Sequence, residues 1–207
     1  MSLHHLHLLA LEIKGFLAQD EAEALHALGK RYGSGGPCLE IGSYCGLSTL
    51  YLGAGVKASG GVLFTIDHHK GSEEHQPGQE YHDPDLFDRD AGSMNSFPAL
   101  QRTLRLAGLE DSVVPIVAPS VLAGRGWATP LSLVFIDGGH SLESAVADYR
   151  SWATWVRTGG ILAIHDIFID PSQGGQAPYA IYKLALASGL FEELPMINTL
   201  GCLRRIA

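Results

Sequence analysis

The sequence predicts an α/β fold, a mostly parallel sheet with crossover helices packed on both faces. Three observations carry this. Short apolar runs alternate with helix-patterned segments along 207 residues, as strand–helix–strand units require. Apolar residues make up 46% of the chain, enough to cover a sheet on two sides. Several of the apolar runs end on polar residues, which a parallel sheet would gather along one edge.

Taken in order, residues 1–35 read as N-terminal helices. Asp20 is the expected cap of one whose first turn holds Glu21 and Glu23. Leu25, Leu28 and Tyr32 form its apolar stripe, Lys30 and Arg31 suit its negative end, and Gly33 stops it. CLEI (38–41) is the first buried strand. A glycine-bearing turn then leads into an apolar helix predicted from Leu47 to Gly53. GVLFTID (61–67) is the second strand and ends on a carboxylate. Residues 68–95 are polar, aperiodic and too long for an ordinary connection, so this insertion is expected to be a lid or binding loop. It holds His69, Glu73, Glu74, His75, Glu80, His82, Asp83 and Asp85, a composition that suits either a solvated loop or a cation site.

Ser96 is the expected cap of the next helix, which Gly108 ends. SVVPIV (112–117) and LSLVFID (131–137) are the third and fourth strands. Ser141 caps a helix with apolar positions at Leu142, Ala145, Val146, Tyr149, Trp152 and Val156, spaced by threes and fours. GGILAIHD (159–166) is the fifth strand. Pro178 opens a further helix and Gly189 closes it. FEELPMI and TLGCLRRI finish the chain as two strands, the last antiparallel because the loop between them is too short for a crossover.

The length fits one domain over residues 1–207. A net charge of −8 with no Lys/Arg run argues against a partner bound by phosphate neutralisation. It favours a small molecule over nucleic acid. No apolar run approaches a membrane span, and MSLHHLHLLA lacks the basic start and cleavage site of a signal peptide. His4, His5 and His7 there read as surface positions of a fraying helix. Cys38, Cys45 and Cys202 have no metal-ligand spacing and leave one unpaired in any bridging scheme, so a reducing cytoplasm is expected. A homo-oligomer is compatible with all of this.

The chemistry gathers at the strand ends. The first strand runs into Glu40-Ile41-Gly42-Ser43-Tyr44-Cys45-Gly46, the second ends in Asp67, the fourth in Asp137-Gly138-Gly139-His140, and the fifth in His165-Asp166. Gly42 and Gly46 allow close backbone approach to a ligand, and the helix after them offers free N–H groups to a carboxylate. Glu40 is expected to receive an ammonium, directly or through water, and Asp67 to accept hydrogen bonds from two ribose hydroxyls. An amino acid joined to a ribose fits this layout, and S-adenosylmethionine is such a ligand. A pyrophosphate fits less well. Ser43, Tyr44 and Cys45 stand where the Gly-x-Gly-x-x-Gly dinucleotide fingerprint needs a second glycine, which leaves an NAD(P)-dependent oxidoreductase as the alternative.

LEIGSYCGLSTLYLG resembles the first motif of class I S-adenosylmethionine methyltransferases, and FTIDHH resembles their ribose-binding motif. LVFIDGGHSLESAVADYRSW followed by GGILAIHDIF is similar to a small O-methyltransferase-like family that includes macrolide-sugar and cephalosporin-pathway enzymes. The resemblance covers roughly residues 36–170. It implies a Rossmann-like, seven-stranded sheet with the last strand antiparallel. It also implies that Ala118, Pro119 and Ser120 flank an adenine, that His68 lies against the nucleoside, and that Asp148 belongs to the pattern.

Methyl transfer needs an aligned acceptor and often a base. His140 and His165 are the candidate bases, with Asp166 as orienting group or base itself, because imidazole titrates near neutral pH. Some O-methyltransferases of this fold hold a divalent cation at the fourth and fifth strand ends. The positions matching those ligands are Asp137, His165 and Asp166, and a histidine among them tilts such a site toward a transition metal. The expected reaction is O-methylation of a small-molecule hydroxyl. A non-catalytic module that keeps the fold is the third reading.

Overall fold

The computed structural model describes residues 1–72, 75, 78–79 and 82–207. Its elements are α1 (Leu3–Ala10), α2 (Gln19–Tyr32), β1 (Cys38–Ile41), α3 (Leu47–Ala58), β2 (Leu63–Asp67), β3 (Phe87–Asp88), β4 (Ser93–Met94), α4 (Phe97–Leu106) and β5 (Val113–Val117). They continue with α5 (Ser120–Gly124), β6 (Leu131–Ile136), α6 (Leu142–Trp152), β7 (Val156–Ile164), α7 (Ala177–Ala187), β8 (Phe191–Glu193) and β9 (Gly201–Arg205).

Seven strands form one sheet in the order β5-β2-β1-β6-β7-β9-β8. The pairings from β5 to β7 are parallel, and β9 runs antiparallel to both β7 and β8. The strand order reverses beside β1, so the crevice between the carboxyl ends of β1 and β6 is where a ligand is expected in such a sheet.

Two apolar layers hold the sheet, and the two-residue strand period assigns side chains to each. Cys38, Leu133, Phe135, Ile161 and Ala163 face α2, α3 and α4. Leu39, Ile41, Val134, Ile136, Leu162 and Ile164 face α6 and α7, where Trp152 and Ile181 are buried. The same period turns Glu40 toward α3.

α2 and α3 approach through glycine. A Cβ on Gly29 would lie 2.6 Å from the Leu52 carbonyl oxygen, and one on Gly55 would lie 2.2 Å from that of His26. This close packing explains why α3 continues to Ala58 instead of stopping at Gly53. Its glycines are contact surfaces and do not act as breakers. α2 also starts differently from expectation. Ala18 occupies the cap position and Glu21 Oε2 accepts its N–H at 3.1 Å, so Asp20 is not the cap. Ser96 precedes α4, yet its hydroxyl bonds His69 Nδ1 at 2.8 Å and leaves the helix without a side-chain cap.

Within 68–95, β3 and β4 pair as a short antiparallel ladder and Met94 is buried. Lys14 reaches across to this insertion, 2.6 Å from Asp83 and 2.9 Å from Asp85. Glu73, Glu74 and Glu80 of the anticipated His/carboxylate cluster lie outside the described residues. The side chains of the described members turn to separate partners: His69 to Ser96, His75 to Ser72, His82 to the His75 carbonyl, and Asp83 and Asp85 to Lys14. Among the described residues no helix is long and apolar enough to cross a membrane. All three cysteines are free and buried.

Candidate functional site

A cavity of about 1100 Å³ opens at the carboxyl ends of β1, β2, β6 and β7. Its floor begins with the turn after β1. Gly42 has φ +90°, and a Cβ there would sit 1.9 Å from the Asp137 carbonyl oxygen. Only glycine lets the β1 and β6 ends come this close. Tyr44 follows with φ +45°, and Gly46 leads into α3. Ser43 lines the cavity with its hydroxyl buried and without a hydrogen-bond partner. A buried orphan hydroxyl beside the open N-terminus of α3 is a ready partner for a bound carboxylate.

Asp67 ends β2 and also lines the cavity. Its Oδ2 accepts the Tyr44 N–H at 2.8 Å and its Oδ1 accepts the His69 N–H at 2.7 Å. Each oxygen keeps a lone pair for a further donor. His68, Pro119 and Ser120 line the neighbouring wall. There the Ser120 hydroxyl bonds the Asp148 carboxylate on α6. Burial pushes Asp148 up to about 6, against the opposing pull of Ser120.

Glu40 and Gly46 are placed behind the wall. Glu40 is fully buried, and its oxygens accept the hydroxyls of Ser48 (2.7 Å), Thr49 (2.6 Å) and Thr65 (2.6 Å). Burial raises it to about 7 despite those donors. The direct ammonium contact expected of Glu40 is not offered by this geometry, because strand alternation turns it beneath α3.

The far end of the cavity carries Asp137, His140, His165 and Asp166. Asp166 adopts a left-handed backbone, φ +58°, and its Oδ2 lies 3.2 Å from His140 Nε2. Burial alone would raise Asp166, but the neighbouring imidazoles His140 and His165 hold it below the usual carboxylate range. His165 is buried, with Nε2 2.9 Å from Glu21 Oε2 and Nδ1 3.2 Å from Asp137 Oδ1. Burial would depress it, but Asp137, Glu21 and Asp166 together lift it to about 11. The surrounding carboxylates favour the charged ring, and both of its nitrogens already face them, which makes His165 a poorer base than His140. With both nitrogens engaged it is also withdrawn from cation binding. Among the described residues, the donor atoms that converge are those of Asp137, His140 and Asp166, all within 4.8 Å of one another. His140 takes the place expected of His165.

Several cavity residues had no local signature. Gly15 and Phe16 from the N-terminal segment, His75 from the insertion, and Phe168, Gln173 and Pro178 after β7 all line it. Glu21 read as an ordinary acidic first turn. Its bonds to His165 and to the Thr199 N–H and hydroxyl span 144 and 178 residues, beyond any local pattern.

A family model described as a methyltransferase domain matches residues 39–167. The chain is similar in fold to the O-methyltransferase from Bacillus cereus in complex with S-adenosylhomocysteine, at 17% identity and TM-score 0.63, over 98% of this chain and 90% of that one. It is similar to the O-methyltransferase NovP at 15% identity and TM-score 0.69, over 92% and 81%. It is also similar to the O-methyltransferase TomG from Streptomyces achromogenes, involved in tomaymycin synthesis and held in complex with S-adenosylmethionine. There the identity is 16% and the TM-score 0.61, over 99% and 89%.

Proposed function

Because this chain belongs to the methyltransferase-domain family, we propose that it transfers a methyl group from S-adenosylmethionine to a hydroxyl of a small molecule. One observation carries the reading: Asp67, Ser43 and the start of α3 converge on a single cavity whose far end holds an imidazole–carboxylate pair. Asp67 accepts the ribose hydroxyls. Ser43 and the α3 N–H groups take the carboxylate of the amino-acid end. Pro119 and Ser120 flank the adenine, with His68 against the nucleoside. Bound there, the sulfonium supplies an electrophilic methyl group for in-line displacement.

The chain's own residues then have two tasks. The cavity walls align the acceptor oxygen with the methyl group, which lowers the entropic cost of the step. His140, oriented by Asp166, accepts the hydroxyl proton, and such base catalysis contributes about 10²–10⁴-fold. Asp137, His140 and Asp166 also favour a second form of the mechanism. Their mixed oxygen and nitrogen donors suit a divalent transition metal better than Mg²⁺, and a cation there would acidify the acceptor hydroxyl.

The deciding experiment incubates the protein with methyl-labelled S-adenosylmethionine and a panel of sugar, phenol and amine acceptors, with and without Mn²⁺, Zn²⁺ or Mg²⁺. Label in a hydroxyl acceptor supports the reading, and label only in amines would move it to N-methylation. S-adenosylhomocysteine binding with no turnover on any acceptor would favour a non-catalytic module.

A further inference from the structure

Glu21 lies in the first turn of α2, ahead of the residue at which the family match begins. It is 2% exposed, and each of its oxygens has two partners. Oε1 accepts the Thr199 N–H at 2.8 Å and the Thr199 hydroxyl at 2.7 Å. Oε2 accepts the Ala18 N–H at 3.1 Å and meets His165 Nε2 at 2.9 Å. Fixing Nε2 fixes the opposite side of the ring. Nδ1 then stands 3.2 Å from Asp137 Oδ1 and 3.6 Å from Asp166 Oδ1.

We propose that Glu21 is a positioning residue of the transfer site, which holds the His165 ring so that Asp137 and Asp166 face the acceptor in one arrangement. The proposal rests on the methyl-transfer reading. The carboxylate is not the sole anchor of α2, because Gly29, Gly55 and the buried Leu25 also pack it against the core. An apolar side chain would fill the position with less desolvation cost. What a carboxylate does there, and an apolar group cannot, is orient an imidazole. Asp166 is within reach of the ring so oriented, its Oδ1 3.6 Å from His165 Nδ1, and it holds a left-handed backbone, φ +58°.

The test compares the parent with Glu21→Gln, Thr199→Ala and His165→Asn. Gln keeps the shape of Glu21 but puts a donor amide on one arm. Thr199→Ala removes a contact to Oε1 and leaves the His165 arm untouched. Calorimetry with S-adenosylhomocysteine needs no acceptor, and the three variants are expected within about threefold of the parent. In the bound proteins, ring ¹H–¹³C correlations of the histidines are expected to shift for His140 in Glu21→Gln and His165→Asn, and to stay unmoved in Thr199→Ala. With the acceptor found by the panel, kcat should fall at least about tenfold in Glu21→Gln and His165→Asn, with KM nearly constant. Thr199→Ala should keep the parental kcat.

An unmoved His140 signal with parental kcat in Glu21→Gln would overturn the proposal. So would a Thr199→Ala protein as impaired as Glu21→Gln, which would make Glu21 a purely structural tie. If Glu21→Gln fails to fold, His165→Asn decides the question from the other partner: parental kcat and an unmoved His140 signal there overturn the proposal equally. A parent protein that binds no S-adenosylhomocysteine would sink the methyl-transfer reading instead.

Discussion

Asp67 Oδ2 accepts the backbone N–H of Tyr44 at 2.8 Å and so ties the tip of β2 to the turn after β1. The contact fixes the carboxylate at the cavity wall before any ligand arrives. It also supports the strained Tyr44 backbone, φ +45°. The tip of β2 and the turn after β1 are thereby held as one unit at the cavity wall.

Asp67→Ala removes this tie together with the ribose acceptors. Two charge-assisted hydrogen bonds at about 1.5–3 kcal/mol each make about 3–6 kcal/mol, so affinity for S-adenosylhomocysteine is expected to fall at least about 100-fold by calorimetry. Asp67→Asn keeps one acceptor oxygen and should lose less.

Gly42→Ala tests the close approach of β1 and β6. The new Cβ would sit 1.9 Å from the Asp137 carbonyl oxygen at a φ of +90°. The two strand ends must part, and a loss of about 2 kcal/mol or more is expected in denaturant unfolding, with cofactor affinity lost alongside.

Strand ends were legible in the sequence because their signals are local. A buried strand followed by glycine places Gly42, Ser43 and Tyr44, and a strand ending in a carboxylate places Asp67 and Asp137. The parallel sheet followed from the same alternation, and its seven strands with an antiparallel last one from the family resemblance, whereas the strand order became visible only in the structure. What was not legible depended on packing between distant elements. Glu40 is legible as a carboxylate near a strand end, but not the three hydroxyls, of Ser48, Thr49 and Thr65, that surround it and stand in place of a direct ligand contact. His165 and His140 looked equivalent, and Glu21, 144 residues from His165, separates them by engaging one. Asp20 resembled a cap more than Glu21 did, because nothing near α2 in the chain reveals that Glu21 is needed elsewhere.

The Glu21–His165 pair gives stability a pH dependence with a definite sign. Burial opposes charge on Glu21, yet His165 and Thr199 lower it to about 2, from 4.5. His165 is raised to about 11, from 6.5. The imidazolium contribution is complete below about 6.5 and is lost as pH rises toward 11. The carboxylate contribution is complete above about 4.5 and is lost as pH falls toward 2. Thermal melts of the parent and His165→Gln should therefore differ most between these limits. There, breaking a buried pair costs about 3–5 kcal/mol, and the difference should shrink toward pH 10.

His140 and the carboxylates beside it predict a different loss. His140→Gln should lower kcat about 100-fold while S-adenosylhomocysteine affinity stays within about threefold. If a cation is held by Asp137, His140 and Asp166, chelator treatment should lower turnover, and Mn²⁺ or Zn²⁺ should restore it better than Mg²⁺.

Calorimetry of the parent protein with S-adenosylhomocysteine, and separately with NADH, tests the central claim most directly. Saturable one-to-one binding of the first, with a micromolar or tighter Kd that Asp67→Ala weakens, is the expected result. No heat from S-adenosylhomocysteine, or binding of NADH in its place, would contradict the assignment of this cavity.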